Sequence, residues 1–156
     1  MARLFEKSSG GIVYRKKGSQ YEVLLLERKN PKGKIVYVIP KGHIENEEKA
    51  KETALREISE ETGLPHEDLE IIKFITKINF TFIATYKDGN PTINKDVYLF
   101  LVKLNGDKEP DLSAFENSVE KKEKIIGYKW YRLEDLKNVE IKPDIYTYIK
   151  KNLQYM

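Results

Sequence analysis

Glu57, Glu60 and Glu61 carry the most chemistry in this chain. They stand at i, i+3 and i+4, so a helix brings all three carboxylates onto one face. Three neighbouring anions repel one another, and near a helix C-terminus they also oppose the macrodipole. The arrangement is easier to understand if a cation belongs there. Oxygen donors, in a chain with no cysteine and two histidines, favour a hard divalent ion such as Mg²⁺ or Mn²⁺. On these residues alone, a solvated acidic face in a Glu-rich chain accounts for the spacing equally well. The lack of cysteine excludes disulfides, thiolate nucleophiles and cysteine-ligated zinc or iron–sulfur sites. The chain also lacks a phosphate loop of the Gly-x4-Gly-Lys-Ser/Thr kind, a Gly-x-Gly-x-x-Gly turn, a Gly-x-Ser-x-Gly elbow and a His-Glu-x-x-His pair.

The elements that must hold these glutamates follow from periodicity. Ala50, Ala54 and Ile58 recur at i, i+4 and i+8 and give the glutamate segment an apolar stripe. A loop from Lys41 to about Glu48 leads into it. Gly63 stands where a helix end takes a left-handed residue, and Pro65 prevents continuation. Upstream, residues 10–14 and 22–26 alternate as strands around a Lys16–Ser19 turn, and Ile35 to Ile39 forms a third run stopped by Pro40. Further strands are expected at Leu69 to Phe82, Lys95 to Leu104 and Ile125 to Tyr131, with a short helix at Leu133 to Lys137. Ile145, Tyr148, Ile149 and Leu153 give the segment from Asp144 to Leu153 one apolar helical face. Strands interleaved with helices predict an α/β fold with a sheet layered between helices.

Composition agrees with one such domain. Of 156 residues, 40% are apolar, enough for a real core, and 34% are charged with a net charge of only +3. Mixed charge argues against a polybasic nucleic-acid tail and against an acidic disordered segment. The longest apolar run, Val97 to Val102, is far short of the ~20 residues that span a bilayer. The first residues lack an apolar signal stretch. A cytoplasmic protein without a membrane partner is expected.

The full spacing decides between the two readings of the glutamates. Gly42-x5-Glu48-x7-Arg56-Glu57-Ile58-x-Glu60-Glu61-x-Gly63-Leu64 resembles, without a substitution, the signature of the Nudix hydrolases. The resemblance implies an α/β/α sandwich with a mixed central sheet, spanning residues 1–156 as one domain with the motif at 42–64. It implies hydrolysis of a nucleoside diphosphate linked to another group, by water attack on phosphorus with a divalent metal. Glu57, Glu60 and Glu61 would hold Mg²⁺ or Mn²⁺, joined by the backbone carbonyl of Lys41. Glu48 takes a supporting role, paired with Arg56, with metal contact as the alternative. Gly42 and Gly63 permit backbone geometry that a Cβ would hinder. The base that takes the water's proton is either a glutamate of the motif helix or one from a later loop, here Glu120 or Glu123.

Around the motif, residues 39–45 read Ile-Pro-Lys-Gly-His-Ile-Glu. This is similar to the asymmetric diadenosine tetraphosphate hydrolases and to the related diphosphoinositol polyphosphate hydrolases. The similarity implies that Lys41 and His43 neutralise phosphate oxygens, that Phe80 replaces a base-stacking tyrosine, and that Lys95 binds phosphate. Phe80 and Phe82 read equally well as core. Asn46-Glu47 stands where those enzymes read Pro-Gly, so either the loop turns differently or Asn46 supplies the unusual dihedral. Asp107 to Lys124 has no counterpart. A small nucleotide is the expected partner, diadenosine tetraphosphate first. Nucleoside triphosphates, diphosphoinositol polyphosphates and an RNA 5′-triphosphate end are the alternatives, the last being the one nucleic-acid role. A non-catalytic nucleotide sensor is the competing class. The sequence leaves the oligomeric state open.

Overall fold

Ile12, Val13 and Tyr14 send successive side chains to opposite faces of one strand, and each face meets a different helix. The computed structural model describes residues 3–30, 32–85, 87–113, 124–154 and 156. Its strands are β1 (Arg3–Lys17), β2 (Gln20–Lys29), β3 (Ile35–Val38), β4 (Lys41–His43), β5 (Leu69–Ile83), β6 (Thr92–Leu104) and β7 (Lys124–Arg132). Among the described residues the full α-helices are α1 (Ala50–Thr62) and α2 (Pro143–Leu153). A 3₁₀ helix at Leu133–Asn138 takes the place of the short helix expected there.

All seven strands join one mixed sheet. β1 runs parallel to β6 from the pair Arg3↔Thr92 to the pair Tyr14↔Lys103. Its other edge is shared. β2 pairs with residues 14–17, and β4 pairs with Ser8, Ser9 and Gly10. β2 therefore separates from β1 beyond Val23, and continues between β3 and β7. β4 fills the edge that β2 vacates. β5 pairs antiparallel with β6 and carries two irregularities in register.

The two faces bury separate cores. Val13, Leu24, Phe100 and Val102 pack against Ala54 and Ile58 of α1. Ile12, Leu25, Leu99 and Leu101 pack against Ile149 and Leu153 of α2. Each fully buried Ile or Leu contributes about 1.5–3 kcal/mol. The result is the expected α/β/α sandwich. No helix among the described residues is long and apolar enough to cross a membrane.

Several boundaries differ from expectation: β2 extends beyond 22–26 to Gln20–Lys29, β6 begins three residues before Lys95, and two further differences bear on the site. β1 begins seven residues before Gly10, because β6 supplies backbone partners to a segment whose own side chains lack clear alternation. Lys41–His43, expected as loop, is strand, because the place beside Ser8–Gly10 is open to it.

Candidate active site

The motif loop is held to β1 by backbone bonds. Gly11 N–H donates to the Pro40 carbonyl at 3.1 Å, and Ile44 N–H donates to the Lys7 carbonyl at 2.9 Å. In this register the Gly10↔Lys41 pair is a non-hydrogen-bonded one, so the N–H and C=O of Lys41 both point away from β1. That N–H donates to Glu61 Oε2 at 3.2 Å, and the carbonyl lies on the same side. Beyond β4 the loop turns at Asn46, whose φ of 49° supplies the dihedral that glycine would otherwise provide.

Arg56 organises the acidic face of α1. Its Nε and one terminal nitrogen donate to the two oxygens of Glu48 at 2.7 and 2.9 Å. Its other terminal nitrogen donates to Glu57 Oε1 at 3.0 Å and to Glu60 Oε2 at 3.1 Å. It also reaches the His43 carbonyl at 3.0 Å, tying the helix to β4. Glu48 in turn accepts the Glu45 N–H and the Thr53 hydroxyl. The Arg56 hydrogen bonds hold the Glu48 carboxyl down at about 2, and Glu48 foremost raises the Arg56 guanidinium above its ordinary value. Glu48 is thus a post that fixes both the loop and the guanidinium.

The glutamates differ sharply in exposure. Glu57 is 2% exposed, while the Glu60 side chain is 51% exposed. Glu57 is lodged against Gly42, where a Cβ would overlap its carboxylate. Among the described residues no three Asp, Glu, His or Cys side chains gather around one point to hold a metal ion as they stand. Arg56 lies between Glu57 and Glu60 and offsets their repulsion. The donor set itself, three carboxylates plus a carbonyl turned to the Glu61 side, has the chemistry a hard divalent ion takes.

Glu61 and Lys41 also line a cavity of about 420 Å³ that runs over the α2 face of the sheet. Phe80 and Ile78 of β5 form part of its wall, and Val97 and Leu99 of β6 another part. Phe80 and Phe82 lie 6.0 Å apart, centroid to centroid, and both are partly exposed rather than core. Lys95 is the register partner of both Phe80 and Glu6 but is not in the cavity wall. His43 is exposed at the end of β4. Glu120 and Glu123 lie outside the described residues. The described part of the segment after Asp107 serves α1, not the cavity. Asp111 N–H donates to the Thr62 carbonyl at 2.7 Å, and its own carbonyl crosses Gly63, whose φ is 73°. Glu109 fastens that segment to Arg15 and Trp130.

Three further cations line the cavity: Arg28, Lys34 and Lys142. Lys142 Nζ stands 5.6 Å from the centroid of Phe80. All three lie outside the motif in sequence, and the fold brings them round the same space.

Residues 5–151 match the NUDIX domain. The bis(5′-nucleosyl)-tetraphosphatase (asymmetrical) of Caenorhabditis elegans is 31% identical over 129 residues, covering 83% of this chain and 80% of that protein. A crystal structure of a C. elegans Ap4A hydrolase binary complex superposes with a TM-score of 0.68 at 26% identity, over 94% of this chain and 93% of that one. MutT4 of Mycobacterium tuberculosis is 30% identical over 114 residues, so this chain covers only 43% of that protein. Sheet, motif and relatives agree, and the chain belongs to the Nudix family.

Proposed function

We propose that this Nudix protein is a metal-dependent pyrophosphohydrolase of dinucleoside polyphosphates, which cleaves diadenosine tetraphosphate to ATP and AMP. The observation that carries the reading is one cavity wall shared by Glu61 and Lys41 of the motif and by Phe80 of β5. A purine entering that space meets an aromatic ring, while its phosphates extend toward the motif glutamates. The nematode tetraphosphatase, similar over most of both chains, supports the same substrate class.

Glu57, Glu60, Glu61 and the Lys41 carbonyl would hold Mg²⁺ or Mn²⁺, which neutralises phosphate charge and lowers the barrier to water attack. The chain's own residues do the rest. Arg56 keeps Glu57 and Glu60 on the helix face, and Glu48 keeps Arg56 in place. Lys41, His43 and Lys95 supply positive charge to phosphate oxygens, and Phe80 stacks the base. A motif glutamate takes the water's proton, with Glu123 of the later segment as the other acceptor in this proposal.

The test is a chromatographic product screen with Mg²⁺ across diadenosine polyphosphates, nucleoside triphosphates, triphosphate-ended RNA and an inositol pyrophosphate. ATP plus AMP as the fastest-formed products from diadenosine tetraphosphate is the expected result. Faster release of phosphate from the inositol compound, or of pyrophosphate from a triphosphate, refutes the substrate assignment.

A further inference from the structure

Phe80 is not a bare platform. Lys142 and Phe80 line the same cavity, and the Lys142 ammonium stands 5.6 Å over the Phe80 ring, within the distance at which a cation is held by the ring's negative face. The ammonium therefore occupies the ring face that a base entering the cavity would use. A base that stacks on that face displaces Lys142. We propose that Lys142 is a specificity-determining residue, a cation that trades the Phe80 ring for the ligand's phosphate, so that the cavity takes anionic nucleotides and rejects neutral nucleosides. This rests on the adenine-stacking reading above and deepens it.

A neutral nucleoside must displace the ammonium and offers no charge in return. A nucleotide displaces the same ammonium but brings an anion that the freed side chain can meet, because a lysine's four-carbon stem and three donors reorient readily. Arg28, Lys34, Lys41 and Lys142 outnumber Glu61, Glu140 and Asp144 in the cavity lining, with Lys34 paired to Glu140 at 3.1 Å, and this small excess of positive charge favours the exchange. The position tolerates this motion. Lys142 precedes the first turn of α2, yet its side chain makes no capping bond. The bond that starts the helix runs from Tyr146 N–H to the Lys142 backbone carbonyl, and side-chain substitutions leave it intact.

Adenosine and AMP are the appropriate probes, since they differ by one phosphate and neither contains an anhydride to hydrolyse. Calorimetric titration of both into the full chain with Mg²⁺ is carried out for the unsubstituted protein, Lys142→Ala and Lys142→Arg. In Lys142→Ala, adenosine should bind about 2- to 5-fold tighter, because the ring face is uncovered. AMP should bind about 2- to 5-fold weaker, because the exposed ion pair is lost. The preference for AMP over adenosine then falls on the order of 4- to 25-fold, the product of these two changes. Lys142→Arg should keep it. A packing role of the lysine stem moves both ligands the same way. Parallel changes, an unchanged ratio, or no AMP binding by the unsubstituted protein overturns the inference. The substrate reading is scored separately, from the products of the unsubstituted protein. ATP and AMP from diadenosine tetraphosphate with an unchanged ratio in Lys142→Ala would sink the role of Lys142 alone. No turnover of any adenine dinucleotide, with the ratio collapsed as expected, would sink the substrate assignment alone.

Discussion

Four acceptors converge on Arg56: Glu48, Glu57, Glu60 and the His43 carbonyl. A helix face with three neighbouring glutamates is tolerable because a guanidinium inside the motif offsets two of them. Glu48 is the member whose titration is most informative. Its folded carboxyl sits at about 2, below the ordinary carboxylate range near 4.5, so the unfolded state binds the proton first. The stabilisation is complete above about pH 4.5 and drains away as pH falls toward 2. The Tm gap between the unsubstituted protein and Glu48→Gln should be widest near neutrality and close across that window. A gap that stays constant in thermal melts from pH 7 to pH 2.5 would mean that Arg56 does not set the Glu48 carboxyl. Glu61→Gln tests the proposed metal set, since it keeps shape and removes charge. Mg²⁺-dependent turnover should fall by more than about tenfold, roughly 1.4 kcal/mol of barrier. A smaller loss would exclude Glu61 from the metal's direct ligands. The i, i+3, i+4 spacing made the glutamate face legible from sequence. The Glu48–Arg56 pair was expected from the resemblance, whereas the guanidinium's further bonds to Glu57, Glu60 and the His43 carbonyl were not, the last because it depends on where β4 lies.

At the scale of elements, α1 and β4 meet with no room to spare. Gly42 lies against the Glu57 carboxylate, so its lack of a side chain is a packing requirement and not a matter of backbone angle. Gly42→Ala should displace Glu57 or push β4 off β1. Overpacking of this kind costs about 1–3 kcal/mol. Tm should fall, and kcat should fall further than the fraction of folded protein explains. Unchanged kcat at a temperature where the variant is fully folded would show that Glu57 can shift without consequence. Most elements were legible in the sequence because their signals are local: the Ala50, Ala54, Ile58 stripe, the Gly63 and Pro65 stop, and the short apolar runs of β2 and β6. β4 was not. Three residues after a proline carry no periodicity, and they are strand only because β2 has left β1 by that point.

At the scale of the molecule, the sheet separates a core under α1 from a core under α2, and the cavity opens on the α2 side while the glutamates are carried by α1. In the proposed function the base is therefore held on the α2 side, and Glu61, which lines the cavity from α1, joins it to the glutamate face. Phe80→Ala should raise KM for diadenosine tetraphosphate by roughly 5- to 150-fold, the range expected for one stacked base. Turnover of an inositol pyrophosphate, which has no base, should barely change, and Tm should hold because Phe80 is only partly buried. Equal loss on both substrates with a lowered Tm would make Phe80 a structural residue. Nothing local in the sequence marks Arg28, Lys34 or Lys142 as neighbours, since the cavity they line is assembled from β2, the segment before β3 and the start of α2.

The parallel pairing of β1 with β6 also governs how the protein comes into being. Arg3 is bonded across from Thr92 and Tyr14 across from Lys103, so the central strand waits for residues synthesised almost ninety positions later, as the numbers of these pairs show. Contacts of such long range are slow to close, because the loop entropy is lost before the pairing repays it. β4 docks on the opposite edge of that same strand. On a ribosome, then, the complete motif from Gly42 to Leu64 emerges while β1 has only β2 and β4 as partners, and a chain halted before residue 92 would carry the whole signature without the parallel partner of its central strand.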